Sequence, residues 1–345
     1  MPTGADIFWK DLDTKGFVHV PGFLTPEQLE ACRANYASKP RSTSNANYNT
    51  PGADNLSADL NQALDALVTA VAANTTIRVD SVVGALFFAT KRGVKFGWHQ
   101  DHESYFELQS HANYLNLYIP IVKPRPDKTN LCLIPFDVLE RESPESFRSS
   151  VFRGATSVYP FREGQFLVHD DTGVGHALRF KFDDIAVIPQ LHAGDVLIVR
   201  GDVFHKTEDS DTDRVALSIR FAYSKTMISR RKLADGGLYK SRMLVRNMPQ
   251  FQMMFHAFDL SGKEELSWGE LKPLREEASK RFAAVDSPKL FLLKQKIRSG
   301  VLLSSARKAV YELGINPLKV IYNARRQTRP IKLESLSAQP GRVRP

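Results

Sequence analysis

Val82-Val83-Gly84-Ala85-Leu86-Phe87-Phe88-Ala89-Thr90 runs through Lys91-Arg92-Gly93 to Trp98-His99-Gln100-Asp101, and a second apolar run, Tyr114 to Ile121, follows. Both runs read as strands, which places the His-x-Asp triplet on rigid extended chain between them. Successive side chains of extended backbone point to opposite faces, so His99 and Asp101 share one side and Gln100 takes the other. Two metal ligands are thereby held together. His205, far downstream, completes a two-histidine, one-carboxylate set, the arrangement that holds ferrous iron on one face and leaves the other coordination positions open.

A triplet this short occurs by chance, and the chain contains its own control in His169-Asp170-Asp171. That stretch is broken by Gly164, Gly173 and Gly175 and reads as loop. The second half of the site is more specific. His192-Ala193-Gly194-Asp195 reads as a turn feeding Val196 to His205, whose apolar character predicts one buried strand ending at the proposed ligand. Nine residues later Arg214 opens another strand-like run, to Tyr223. A guanidinium makes two parallel charge-assisted hydrogen bonds to a carboxylate, so Arg214 implies a dicarboxylate co-substrate. The plainer reading makes it a surface arginine paired with Asp209, Asp211 or Asp213.

These stretches together resemble the phytanoyl-CoA dioxygenase-like branch of the iron(II)- and 2-oxoglutarate-dependent oxygenases. The likeness is carried by Trp98-His99-Gln100-Asp101 with Tyr105-Phe106, by Ala193-Gly194-Asp195 through His205, and by Arg214-Val215-Ala216-Leu217. Gly16 to Leu24, leading into Thr25-Pro26-Glu27-Gln28-Leu29, is similar to that family's opening strand and first helix; the whole spans about residues 7 to 225. The resemblance implies His99, Asp101 and His205 as catalytic iron ligands and Arg214 as the clamp on the distal carboxylate of 2-oxoglutarate. Thr207 matches a position supporting that co-substrate; Asn116, on the strand after the triplet, is a candidate for the same task and equally fits a polar residue satisfied within the sheet. Halogenating relatives replace the carboxylate with a small residue, so Asp101 points instead to hydroxylation. The family's proline-glycine-serine-histidine turn is replaced here by Leu133-Ile134-Pro135-Phe136-Asp137-Val138, and an insertion-like, lid-like segment spans about 140–190.

Substrate contacts are less legible. Arg220 lies six residues from Arg214 on the same strand face, where it meets either an anionic substrate group or the sheet edge. Trp98 and Tyr105 line a pocket or simply fill the core, and His169, like His102 and His176, is a polar contact near the lid or a surface residue.

At 345 residues the chain can bury a full core. No apolar run approaches the roughly 20 residues of a membrane span, and the N-terminal residues, with Asp6, Lys10, Asp11 and Asp13, lack an apolar signal core. Two cysteines, Cys32 on a predicted helix and Cys132 on a predicted strand, argue for buried thiols in a reducing, cytoplasmic setting.

Charge is unevenly divided: residues 230–345 hold 24 Lys and Arg against 10 Asp and Glu, a net of +14, which leaves −5 for residues 1–229 of the total +9. Helices are expected over about Leu266 to Val285 and from Pro288 to Leu313, with Ser287 as N-cap and Gly314 as stop. Such a basic amphipathic stretch either packs on its own domain or attracts an anionic partner such as a carrier protein. Nucleic acid is not the expected partner, and no repeat, phosphate cradle or zinc-type spacing occurs.

The expected fold class is therefore mainly β with flanking helices (α+β), a double-stranded β-helix or jelly-roll, cupin-like core over residues 1–229. A basic helical extension over 230–328 is expected to pack on or beside the core, and 329–345 is expected to be a poorly ordered tail. The expected function is an iron(II)/2-oxoglutarate dioxygenase that uses dioxygen to hydroxylate a small or medium-sized specialised metabolite, releasing succinate and carbon dioxide. Two alternatives stay open: an oxygenase acting on a carrier-bound or protein substrate docked by the C-terminal helices, and a non-catalytic jelly-roll binding module.

Overall fold

A short helix α1 (Asp11–Thr14) leads into strand β1 (Phe17–Val20) and helix α2 (Pro26–Ser38); β2 (Thr50–Pro51) and α3 (Ala58–Asn74) precede β3 (Ser81–Thr90), α4 (His102–Phe106), β4 (Tyr114–Val122) and β5 (Leu131–Leu133). Two helices, α5 (Phe136–Glu142) and α6 (Pro144–Ser150), come before β6 (Ser157–Pro160), β7 (Phe166–His169) and β8 (Gly175–Leu178). Strands β9 (Val196–Arg200), β10 (His205–Thr207), β11 (Arg214–Ala222) and β12 (Met227–Ser229) follow, then α7 (Arg230–Asp235), α8 (Pro249–Ser261), β13 (Glu265–Ser267) and α9 (Trp268–Arg281). The computed structural model describes residues 8–38, 50–51, 56–90, 96–152, 157–160, 166–169, 175–178, 180–209, 211–235 and 249–282.

The fold is α+β and its described strand pairings are antiparallel. A six-stranded sheet has the order β1-β9-β4-β11-β3-β2, beside a β10-β5 pair, a β12-β13 pair and a three-stranded β6-β7-β8 sheet. Alternation along β11 explains how the large sheet is covered on both faces. Val215, Leu217, Ile219 and Phe221 join a core cluster with Leu60, Leu64, Leu67 and Val71 of α3. Those four helix residues recur at helical spacing, and Ser57 caps the helix by accepting from the Leu60 amide. Each such burial is worth about 1.5–3 kcal/mol.

On the other face, Tyr118, Leu197, Val199 and Ala216 pack with Leu133, Ile134, Phe136 and Phe204. A third cluster joins Phe106 and Leu108 to Ile228, Leu233, Phe258 and Trp268. One compact unit comprises Met1–Arg41 and Asn47–Val285; a second comprises Ser42–Ala46 and Asp286–Pro345, whose residues lie outside those described.

The expected strands at Val82 to Thr90, Tyr114 to Ile121 and Arg214 to Tyr223 correspond to β3, β4 and β11 within a residue. The turn at His192 to Asp195 is present, closed by the Asp195 amide on the His192 carbonyl at 3.2 Å, with Gly194 at φ 93°, a backbone region that favours glycine.

Three expectations need correction. The single strand expected from Val196 to His205 is two, β9 and β10, belonging to different sheets. Between them the chain turns, with Val203 N–H on the Arg200 carbonyl at 3.2 Å; apolarity alone does not tell a crossing between sheets from a continuous strand, because both are buried. The loop expected around His169 is strand β7, with the flanking glycines at or beyond the strand ends rather than within it. The helix expected from Leu266 to Val285 is α9, shorter at both ends: Leu266 belongs to β13, and Ser267 and Glu270 form a capping box.

The expected helices over 288–313, with Ser287 and Gly314, and the tail after 328 lie outside the described residues. The 140–190 segment carries α6, the β6-β7-β8 sheet and a 3-10 turn at Phe182–Asp184. Among the described residues, no helix is long and apolar enough to cross a membrane.

Candidate metal centre

His99 and His205 meet as an isolated antiparallel bridge, each backbone amide donating to the other's carbonyl at 3.0 and 2.9 Å. Their rings are 4.3 Å apart between centroids, and His205 Nε2 lies 3.6 Å from Asp101 Oδ1. One ligand atom from each of His99, Asp101 and His205 lies within 4.8 Å of the others, a group able to hold a metal ion.

The tautomers follow from the hydrogen bonds. Nδ1 of His99 contacts the Gly97 carbonyl at 2.7 Å, and Nδ1 of His205 contacts the Val203 carbonyl at 3.0 Å. A carbonyl oxygen only accepts, so both Nδ1 atoms carry hydrogen, and in the neutral ring this leaves the lone pair on Nε2. Neutral imidazoles oriented in this way are the form that coordinates metal. Asp101 and His205 are buried at 6% and 8% exposure. A carboxylate is costly to bury unless a positive partner compensates it, and a divalent cation would do so here. The donor set therefore fits a metal of the iron type.

Asp101 occupies the N-cap position of α4, yet its side chain makes no capping hydrogen bond. An N-cap aspartate ordinarily accepts from the first helical amides; this carboxylate faces the histidines instead. Its backbone is fixed on both sides. The amide donates to the Gly201 carbonyl at 3.0 Å, and the Asp101 carbonyl accepts from Ser104 Oγ at 2.7 Å. Ser104 Oγ also contacts His111 Nδ1 at 2.5 Å; because the hydroxyl hydrogen goes to Asp101, His111 is the donor. A Cβ on Gly201 would come within 2.3 Å of Ser104 Cβ, so only glycine permits this approach.

Gln100 points to the opposite side, as alternation requires, donating to the carbonyls of Ser150 and Asp202 at 3.0 and 2.7 Å. Asp202 is itself locked by a buried two-pronged pair with Arg200, at 3.1 and 2.8 Å. The Arg200 guanidinium lies 4.7 Å from the Phe136 ring and 4.5 Å from the Phe152 ring. This ionic network fastens the turn that delivers His205.

Strand β11 turns Arg214, Ser218 and Arg220 away from the α3-facing core. Arg214 is buried at 5% exposure, contrary to the surface reading. It donates to the Tyr118 hydroxyl and, at 3.5 Å, to the Thr129 carbonyl. Burial raises the Tyr118 pKa and Arg214 opposes that rise, so the phenol stays protonated. Lys123 donates to the same Thr129 carbonyl at 3.1 Å. Its pKa is lowered to about 8, by burial first and then by Arg214.

Asn116 accepts from Ser218 Oγ at 2.7 Å. Thr207 is buried, its amide donating to the Phe96 carbonyl at 3.0 Å. Arg220 pairs with Glu103 at 3.8 Å and sits 5.7 Å from the Phe88 ring. Burial opposes its charge but is outweighed by Tyr114, Glu103 and Asp101, which keep it protonated.

The other named residues sit elsewhere. Trp98 is a core residue, edge-on to Phe182 at 5.4 Å with its N–H on Asp183 at 3.3 Å. Tyr105 stacks on His111 at 5.6 Å beneath Lys232, 4.5 Å from the ring. His169 closes β7, and its side chain, like those of His102 and His176, lies outside the described residues. Sequence reading missed Tyr118, Ser218, Glu103, Ser104 and His111. Tyr118 and Ser218 were accessible, since each follows the inward alternation of a residue already named, Asn116 or Arg214. A groove of about 500 Å³ lined by Phe8, Phe17, His19, Pro135, Val187 and Ile188 contains none of the site residues.

No family model matches the chain, and no curated protein matches it in sequence. Solved structures give remote likenesses. The non-haem α-ketoglutarate-dependent epimerase SnoN from nogalamycin biosynthesis is 16% identical, over 64% of this chain and 83% of that one, with a TM-score of 0.41. HygX from Streptomyces hygroscopicus, solved with nickel and 2-oxoglutarate bound, is 13% identical over 62% and 85%, with a TM-score of 0.39. A Pseudomonas putida prolyl-4-hydroxylase is 15% identical over 62% and 96%, with a TM-score of 0.36. The candidate metal centre rests on the chain's own His99, Asp101 and His205.

Proposed function

We propose that the protein is an iron(II)- and 2-oxoglutarate-dependent dioxygenase on a double-stranded β-helix core, hydroxylating a small or medium-sized metabolite. The convergence of His99, Asp101 and His205, with both imidazoles tied through Nδ1, carries this reading. When bound, iron and 2-oxoglutarate supply the oxidising power for an unactivated C–H bond, with succinate and carbon dioxide as by-products.

The chain's own residues supply the rest. Arg214 anchors the distal carboxylate of 2-oxoglutarate, its position fixed in advance by Tyr118 and the Thr129 carbonyl. Thr207 and Asn116 support the co-substrate at its flanks. Arg220, kept charged by Tyr114, Glu103 and Asp101, offers an anionic substrate group a cation it shares with Glu103.

The test is anaerobic addition of ferrous iron and 2-oxoglutarate to the full chain, followed in the visible for their charge-transfer band, then exposure to air with succinate measured. A band that needs both components, and succinate formed with dioxygen, is the expected result. Absence of the band together with absence of 2-oxoglutarate binding would leave a non-catalytic binding module.

A further inference from the structure

Helix α4, which begins at the residue after Asp101, is five residues long. A helix that short does not hold itself and depends on its packing. Part of its surroundings comes from chain that follows the last strand of the large sheet. Phe106 and Leu108 are buried against Ile228, Leu233, Phe258 and Trp268. Gln109 makes paired hydrogen bonds with the backbone of Ser229, at 2.9 and 3.0 Å.

One contact is ionic. Arg275 of α9 donates to Glu107, 168 positions away in sequence, at 2.6 Å, and the two side chains are only 17% and 6% exposed. Arg275 is itself held over the Trp268 ring at 4.9 Å. On its other side, α4 meets Arg220 through Glu103. Within α4, Ser104 passes this restraint to the metal carboxylate by its hydrogen bond to the Asp101 carbonyl.

We propose that Arg275 is a positioning residue for the metal centre: through Glu107 it fixes α4 and thereby sets where Asp101 stands relative to His99 and His205. The inference rests on the metal reading above. It gives part of the C-terminal helical region a task at the site rather than a detachable docking role. The two histidines are placed by their mutual bridge and by the turn after β9, so the Arg275 effect is confined to the carboxylate.

The test is a double-mutant cycle on the full chain, read as cobalt(II) affinity from visible absorption, independent of turnover. Arg275→Met is expected to weaken cobalt binding by about 10- to 100-fold, the range for residues that orient a ligand. In an Asp101→Ala background, whose affinity is already low, the same change is expected to cost nothing more. Arg281→Met, which breaks an exposed pair with Glu277 on the same helix, is expected to leave affinity unchanged.

If Arg275→Met fails to fold, Glu107→Gln takes its place in the cycle with a smaller, several-fold loss. Equal loss in both backgrounds would make Arg275 a general support of the fold and overturn the proposal, as would no loss in the native background. A native chain that binds no cobalt would overturn the metal reading itself, an outcome distinct from the others.

Discussion

His99-Gln100-Asp101 and His169-Asp170-Asp171 follow one pattern in sequence, yet the chain treats them differently. Each histidine sits on antiparallel extended chain. Opposite His99 stands His205, which joins His99 and Asp101 in the group able to hold a metal ion; opposite His169 stand Ser157 and Gly175, neither of them a histidine, a cysteine or an acidic residue. The lesson is that a metal centre is specified by register partners and not by the triplet. A strand pairing slipped by one residue would turn His205 away from His99 and dissolve the site.

The comparison breaks most readily at the carboxylate. Asp101→Ala is expected to weaken ferrous or cobalt binding by more than about 100-fold, beyond the range for orienting residues, whereas His169→Ala leaves titrated affinity unchanged. The reverse would assign the metal to the second triplet. Next in size is Arg214→Leu, expected to raise the 2-oxoglutarate requirement by about 10- to 100-fold with iron binding retained, because a charged hydrogen bond is worth about 1.5–3 kcal/mol. Co-substrate titration at fixed iron checks it, and unchanged demand would release Arg214 from the site.

A smaller gain sharpens the rule about partners. Gly175→His would set an imidazole opposite His169 across the β7–β8 pair. It is expected to add a weak second nickel site, visible as stoichiometry rising from one toward two, and no second site would mean that register is insufficient.

The smallest effect is electrostatic and lies beside Arg214, on the Thr129 carbonyl that Lys123 shares with it. Lys123 is lowered to about 8 from its ordinary 10.5. Between those values the unfolded chain binds a proton that the folded chain does not, so stability from this group rises with pH and is lost as pH falls through about 8. Thermal unfolding should therefore show the native protein gaining on Lys123→Met between pH 8 and 10. Parallel curves would mean that the ammonium is not desolvated.

Much of the site was legible because its parts are local. Apolar runs announced β3, β4, β9 and β11, and period-two alternation put His99, Asp101, Arg214 and Arg220 on shared faces. What stayed hidden depends on distant chain. Arg200-Gly201-Asp202 interrupts the apolar run from Val196 to His205 and marks the passage between sheets, but that its two charges pair in the interior to hold the turn is a matter of distant packing. Glycines around β7 suggested a loop, although the strand is held by partners on both edges. The capping box at Ser267 was readable and overlooked, whereas Arg275 on Glu107 joins residues no local pattern connects.

Trp98 has a use of a different kind. One of three tryptophans in the chain, it is the immediate neighbour of His99, and its indole is wedged against Phe182 and tethered to Asp183. A paramagnetic ion on the adjoining imidazole would quench its emission, so the protein carries an intrinsic optical gauge of its own loading, readable without label or substrate.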